Sequence, residues 1–150
     1  MRETEKKGAG FSGSDRDPHC SLCTEKQFRA MLHLEAGRSA RSGKPCLLML
    51  LGVAGLGQSE KNGVVGEVAR ALLSLTRETD PKGWWCTGSQ IGILFTEVDA
   101  PSPAALIEAQ RTIKRKIIAA LRSRVGDATA ERITISWTVF PNSFLESQEA

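Results

Sequence analysis

The apolar positions of this chain change period several times, and each change marks an element. Phe28, Met31, Leu32 and Glu35 follow helical spacing behind Thr24, a hydroxyl N-cap with Gln27 three residues on, which predicts an amphipathic helix over about 25–41. Ser42-Gly43-Lys44-Pro45 ends it. Cys46-Leu47-Leu48-Met49-Leu50-Leu51 is then unbroken in its hydrophobicity, as expected of a central strand covered on both faces. After a glycine-rich polar stretch, Val64, Val65, Val68, Leu72 and Leu75 predict a second helix over about 63–78. Trp84-Trp85-Cys86 is strand-forming, and Ile91, Ile93 and Phe95 alternate with Gly92 and Leu94. Between them Thr87-Gly88-Ser89-Gln90 is polar and holds the glycine that a hairpin turn needs. Ser102-Pro103 opens a long helix whose buried stripe is Leu106, Ile113, Ile117, Leu121 and Val125, with Gly126 at its end. Ile133, Ile135, Trp137 and Val139 alternate with Thr134, Ser136 and Thr138 in a last strand, stopped by Phe140-Pro141-Asn142.

The order is β-α-β-β-α-β with a leading helix, the ferredoxin-like split-βαβ arrangement. The expected class is α+β, a mainly antiparallel sheet with helices on one side. With 150 residues and 41% hydrophobic composition, one core is expected. It should span residues 22–141. Residues 1–21 are rich in Gly, Ser and charge and nearly free of large apolar side chains, so a disordered tail is expected there, and a loose end over 142–150.

Charge narrows the partners little. Twenty basic residues lie among seventeen acidic ones for a net charge of +3, which gives no general affinity for nucleic acid or an anionic membrane. No run approaches the roughly 18 apolar residues of a spanning helix. The polar, charged beginning is unlike a secretory signal, so a cytoplasmic location and reduced thiols are expected.

Several constellations invite chemistry. His19-Cys20-Ser21-Leu22-Cys23 could supply metal ligands, but no second paired motif follows, and Cys46 and Cys86 fall in predicted strands. Ordinary thiols are therefore the favoured expectation, with no metal or cofactor. His33, between Leu32 and Leu34, reads as a packed or surface side chain. Gly52, Gly55, Gly57 and Gly63 could let backbone N–H groups approach a phosphate, yet their spacing fits neither nucleotide-binding glycine motif. Arg111, Lys114, Arg115, Lys116, Arg122 and Arg124 cover one side of the long helix; a solvated face is favoured over a phosphate site.

In order and spacing the chain resembles the GGDEF (diguanylate cyclase) family of the nucleotidyl cyclase fold over about residues 22–141. The likeness lies in the leading helix with Phe28, Leu32, Glu35 and Arg38, in Arg41-Ser42-Gly43-Lys44-Pro45 before the first strand, and in Gly66-Glu67 where the family has Gly-Asp. It continues in Arg77-Glu78-Thr79-Asp80 ahead of the hairpin and in Ile133-Thr134-Ile135-Ser136 followed by Phe140-Pro141.

The departures fall on the family's chemistry. The resemblance implies a metal-binding carboxylate at the end of the first strand, where this chain has Leu51-Gly52-Val53. It implies another in the signature turn, which here reads Thr87-Gly88-Ser89-Gln90 with one glycine and no acid. Leucine and serine do not replace hard anionic ligands, so no catalytic residue and no metal site are expected. Asn62 lies a few residues from where the family's guanine-contacting asparagine would fall. Arg77 and Asp80 match the family's Arg-x-x-Asp inhibitory site for cyclic di-GMP, and a guanidinium and a carboxylate suit a guanine nucleotide. An Arg–Asp pair that fixes the helix-to-strand corner is the structural alternative.

The resemblance thus implies a non-catalytic domain in bacterial signalling or exopolysaccharide regulation that works through a protein partner or as a homodimer. Trp84, Trp85 and Trp137 are candidate anchors. A cyclic di-GMP receptor is one alternative. A nucleotide-processing enzyme with a relocated site, drawing on Glu67, Asp80, Glu97 and Asp99, is the other.

Overall fold

The structure, a computed structural model, describes residues 22–56, 58–96 and 98–141, and of residues 58–62 the backbone only. The expected tail over 1–21 with His19 and Cys20, the acid Glu97 and the expected loose end over 142–150 lie outside the described residues. The elements are α1 (Glu25–Ser42), β1 (Cys46–Gly52), α2 (Gln58–Leu75), β2 (Lys82–Cys86), β3 (Gln90–Phe95), α3 (Pro103–Val125), α4 (Asp127–Glu131) and β4 (Thr134–Phe140). The four strands form one sheet in the order β2-β3-β1-β4, and each neighbouring pair is antiparallel. β1 is interior, as its continuous apolar run requires.

The helix ends follow their capping chemistry. Thr24 Oγ1 accepts the Gln27 N–H at 3.2 Å, and Gly43, in the left-handed region at φ 79°, donates its N–H to Ser39 O at 2.9 Å. Ser102 Oγ accepts the Ala105 N–H at 3.2 Å at the start of α3, with Pro103 just inside.

The structure differs from the sequence expectation in the bounds of α2, which run from Gln58 to Leu75, and in one added helix. α2 begins at Gln58, ahead of the first apolar residue, because Gln58 to Asn62 contains nothing that breaks a helix. The glycine-rich stretch is therefore divided: Gly52 ends β1 and Gly63 lies within α2, which leaves no long phosphate-cradling loop. The short α4 was not foreseen, since five residues are too few to show a helical period.

The sheet is covered on both faces. Leu47, Met49 and Leu51 of β1, with Ile91, Ile93, Phe95 and Val139 beside them, pack against Val68, Leu72, Leu106, Ile117 and Leu121 of α2 and α3. Helices on one side is thus right for the two crossover helices and needs correction for α1, which packs on the opposite face. The reason lies in β1, where Leu48 points away from α2 and α3 and requires cover of its own. Fully buried Phe28 of α1 supplies it by entering a hollow made by two glycines paired across β2 and β3, Gly83 and Gly92. A Cβ on Gly92 would lie 2.7 Å from Phe28 Cε2, and one on Gly83 2.9 Å from the Cys23 backbone oxygen. The Trp85 ring meets Phe28 edge-on at 6.5 Å between centroids. No helix among the described residues is long and apolar enough to cross a membrane.

Candidate functional site

The fold brings the end of β1 and the β2–β3 turn together. Gly52 stands between Gln90 of β3 and Thr134 of β4, and the Val53 N–H donates to Ser89 O at 2.8 Å. This is the place where the family resemblance puts two metal-binding carboxylates. The side chains there are of other kinds. Leu51 and Val53 are fully buried in the core below the sheet. Gly52 has no side chain, and a Cβ there would lie only 2.3 Å from Thr134 Oγ1, so a carboxylate at this position would displace the threonine. The turn runs from Cys86 to Gln90, with Gly88 at φ 85° and the Ser89 N–H on Cys86 O at 2.9 Å.

One carboxylate does reach the turn, and it comes from α1. Glu25 Oε2 accepts both the backbone N–H and the hydroxyl of Thr87, each at 2.7 Å. Those hydrogen bonds, the hydroxyl first, hold the Glu25 carboxyl below the usual range. One helical turn on, Arg29 Nη2 donates to Trp85 O at 2.7 Å, and its guanidinium lies 3.8 Å from the Trp85 ring centroid. The first turn of α1 thus holds the hairpin. Sequence reasoning missed Glu25 and Arg29; the only signal was the Thr24 cap that fixes where the helix starts, and nothing local points 62 residues ahead to Thr87.

Arg77 and Asp80 are adjacent, and they face one another. The Asp80 carboxylate, 3% exposed, accepts from the Arg77 N–H at 3.2 Å, Arg77 Nε at 3.4 Å, Arg77 Nη2 at 3.1 Å and the Thr96 N–H at 3.3 Å. Arg77 Nη2 also donates to Thr96 O at 2.5 Å, while Lys82 Nζ reaches Arg77 O at 2.9 Å. This is a closed corner joining the exit of α2 to β2 and the end of β3. Of the acids considered for a relocated site, Glu67 bonds Arg70 at 2.8 Å and Arg124 at 3.3 Å and so ties α2 to α3; Asp99 is exposed. Among the described residues no three His, Cys, Asp or Glu side chains converge as metal ligands would.

The remaining candidates are structural in their placement. Cys23 is buried and bridges to Gly83, its backbone oxygen accepting the Trp84 N–H at 2.9 Å. Burial pushes the Cys46 thiol up to about 11, while Cys86 is exposed. His33 is exposed, Trp84 is buried, and Trp85 and Trp137 are half-buried.

Comparison with known proteins agrees with the resemblance at the level of fold. No family model matches the chain, and no curated protein does. Solved structures do. A diguanylate cyclase protein from Thermotoga maritima is similar at 15% identity and TM-score 0.66, over 89% of this chain and 93% of that one. The GGDEF domain of DgcB from Caulobacter crescentus, solved with c-di-GMP, is similar at 14% identity and TM-score 0.63, over 98% of this chain and 89% of that one. Diguanylate cyclase SiaD from Pseudomonas aeruginosa, solved with its activator SiaC, is similar at 25% identity and TM-score 0.61, over 84% of this chain and 49% of that one. The chain has the fold of the GGDEF domains, a nucleotidyl cyclase fold.

Proposed function

We propose that this chain is a GGDEF-fold regulatory domain that does not run the cyclase reaction and works through a protein partner, in bacterial signalling linked to cyclic di-GMP or exopolysaccharide. Leu51, Val53 and Ser89 carry this conclusion, because they stand where β1 meets the hairpin turn and none is an anionic oxygen ligand. Joining two nucleoside triphosphates requires cations to neutralise phosphate charge and to activate the attacking hydroxyl. Glu25, the carboxylate that does reach the turn, is engaged by Thr87. A protein partner has a parallel in SiaD, solved with the protein that activates it. Incubation with GTP and magnesium or manganese, with chromatography of the nucleotides, tests the proposal: no turnover above a protein-free control is expected, and turnover would refute it. It would equally point to a relocated site.

The alternative is a cyclic di-GMP receptor on Arg77 and Asp80. The Arg77 side chain, 57% exposed, favours it, and DgcB binds that ligand in its crystal. Against it, the Asp80 oxygens already serve Arg77 and Thr96. Calorimetry with cyclic di-GMP on the wild type and Arg77→Ala separates the two, since only a receptor gives heat that the substitution removes.

A further inference from the structure

β4 is the outer strand of the sheet: one edge pairs with β1, and among the described residues no strand lies beyond the other. Exposed edges are usually guarded by a charge, a proline, a bulge or short length. Thr134-Ile135-Ser136-Trp137-Thr138-Val139-Phe140 has no charged residue, glycine or proline, and its register with β1 is unbroken from Cys46↔Phe140 to Gly52↔Thr134. Beside it, between α3, α4 and β4, lies a cleft of about 260 Å³ lined by Ile118, Leu121, Ile133 and Ile135 and flanked by Lys114 and Arg122, with Glu131 at its rim.

Charge decides what can add to this edge. Lys114, Arg115, Lys116 and Arg122 of α3 are exposed, and among the described residues no carboxylate lies within ion-pair distance of them. A second copy joined antiparallel through β4 would bring two such basic rims together on one side of the continuous sheet, where they repel; an acidic strand would be attracted. Spacing sharpens the requirement. Lys114 and Arg122 are eight residues apart on one helix, which at about 1.5 Å per residue is roughly 12 Å. An extended strand covers about 13 Å in four residues, and residues i, i+2 and i+4 share a face.

We propose that the β4 edge docks an extended segment of a partner protein with the pattern Glu-x-Val-x-Glu. Its backbone adds a strand to β4, its central apolar side chain enters the cleft and its two carboxylates meet Lys114 and Arg122. This rests on the proposed function, in which the domain acts through a protein partner, and names the surface and the chemistry it selects.

The test titrates the full chain, labelled with nitrogen-15 and with carbon-13 at the Ile and Leu methyls, with the synthetic peptide Thr-Glu-Thr-Val-Thr-Glu-Thr. Expected are saturable binding, shifts and slowed hydrogen exchange confined to the amides of Ile135 to Val139, and shifts of the Ile118 and Leu121 methyls. Lys114→Glu with Arg122→Glu should weaken binding at least about tenfold, as should raising salt from about 50 to 300 mM. The same peptide with lysine for glutamate, and its N-methylated form, should not bind. No saturable binding, binding indifferent to the charge reversal, or self-pairing of the chain through β4 in sedimentation at low salt would each overturn the proposal. GTP turnover on the same samples separates the two claims: turnover removes the non-catalytic assignment and leaves the edge result standing, whereas failure of peptide binding leaves the assignment untouched.

Discussion

Replacing Asp80 by alanine removes a buried carboxylate from the corner where α2 gives way to β2, and its effect separates a structural pair from a ligand site. The Thr96 N–H, in a residue 6% exposed, loses its acceptor at 3.3 Å; a buried donor left unsatisfied costs about 1–3 kcal/mol. The Arg77 backbone N–H loses a bond at 3.2 Å, a further loss of about 0.5–1.5 kcal/mol. The Arg77 side chain is 57% exposed and regains water when its partner goes, so that pair adds less than about 1 kcal/mol. The expected cost is therefore about 2–4 kcal/mol. Arg77→Ala leaves the carboxylate on its backbone donors but removes the Nη2 bond to Thr96 O and the cation beside a buried carboxylate, so it should cost about 1–3 kcal/mol. Urea unfolding followed by tryptophan fluorescence and far-ultraviolet circular dichroism measures both. An Asp80→Ala or an Arg77→Ala protein within about 0.5 kcal/mol of wild type would refute the closed corner.

Gly92→Ala places a Cβ 2.7 Å from Phe28 Cε2 and 2.8 Å from Cζ, and overpacking of this kind should destabilise by about 1–3 kcal/mol. Phe28→Leu in the same chain should relieve part of that cost, which a double-mutant cycle in urea would read as a favourable coupling. The Glu25 carboxyl lies below 4.5 because Thr87 donates to its ionised form. Its contribution is in place above pH 4.5 and is lost as pH falls through the lower folded-state value. The Thr87 amide should titrate with a midpoint below 4.5 in two-dimensional nuclear magnetic resonance, and Glu25→Gln should abolish that titration.

Most of the fold was legible because each element of ordinary length carries its own period. The unbroken run from Cys46 to Leu51 predicted cover on both faces, and α1 on one side with α2 and α3 on the other provide it. The same sequence gave no warning that α1 would be the helix on the far side, because a helical stripe states that a face is buried and not against what. The hollow for Phe28 was hidden for a similar reason. Gly92 read only as one of the alternating positions of a strand, and its purpose appears only when Gly83 is registered opposite it and a ring fills the space. Arg77 and Asp80 were visible as a spaced pair, whereas the donors that engage Asp80 include Thr96, on a strand whose register local pattern cannot fix.

The hairpin turn is held in place by contacts from within the protein. A turn that binds metal and nucleotide is itself fixed in part by what it binds. Here its backbone is fixed from two directions by the protein: the Val53 N–H donates to Ser89 O from β1, and Thr87 donates to Glu25 from α1. Arg29 holds the strand leading into the turn through Trp85 O and the indole face. These contacts come from the protein itself, so they fix the turn that carries Ser89 and Gln90 without a ligand. They also couple the turn to the first residues of α1. A force or a partner that displaces Glu25 and Arg29 acts directly on Thr87 and Trp85, and in the proposed regulatory role this is a route from the leading helix to the hairpin.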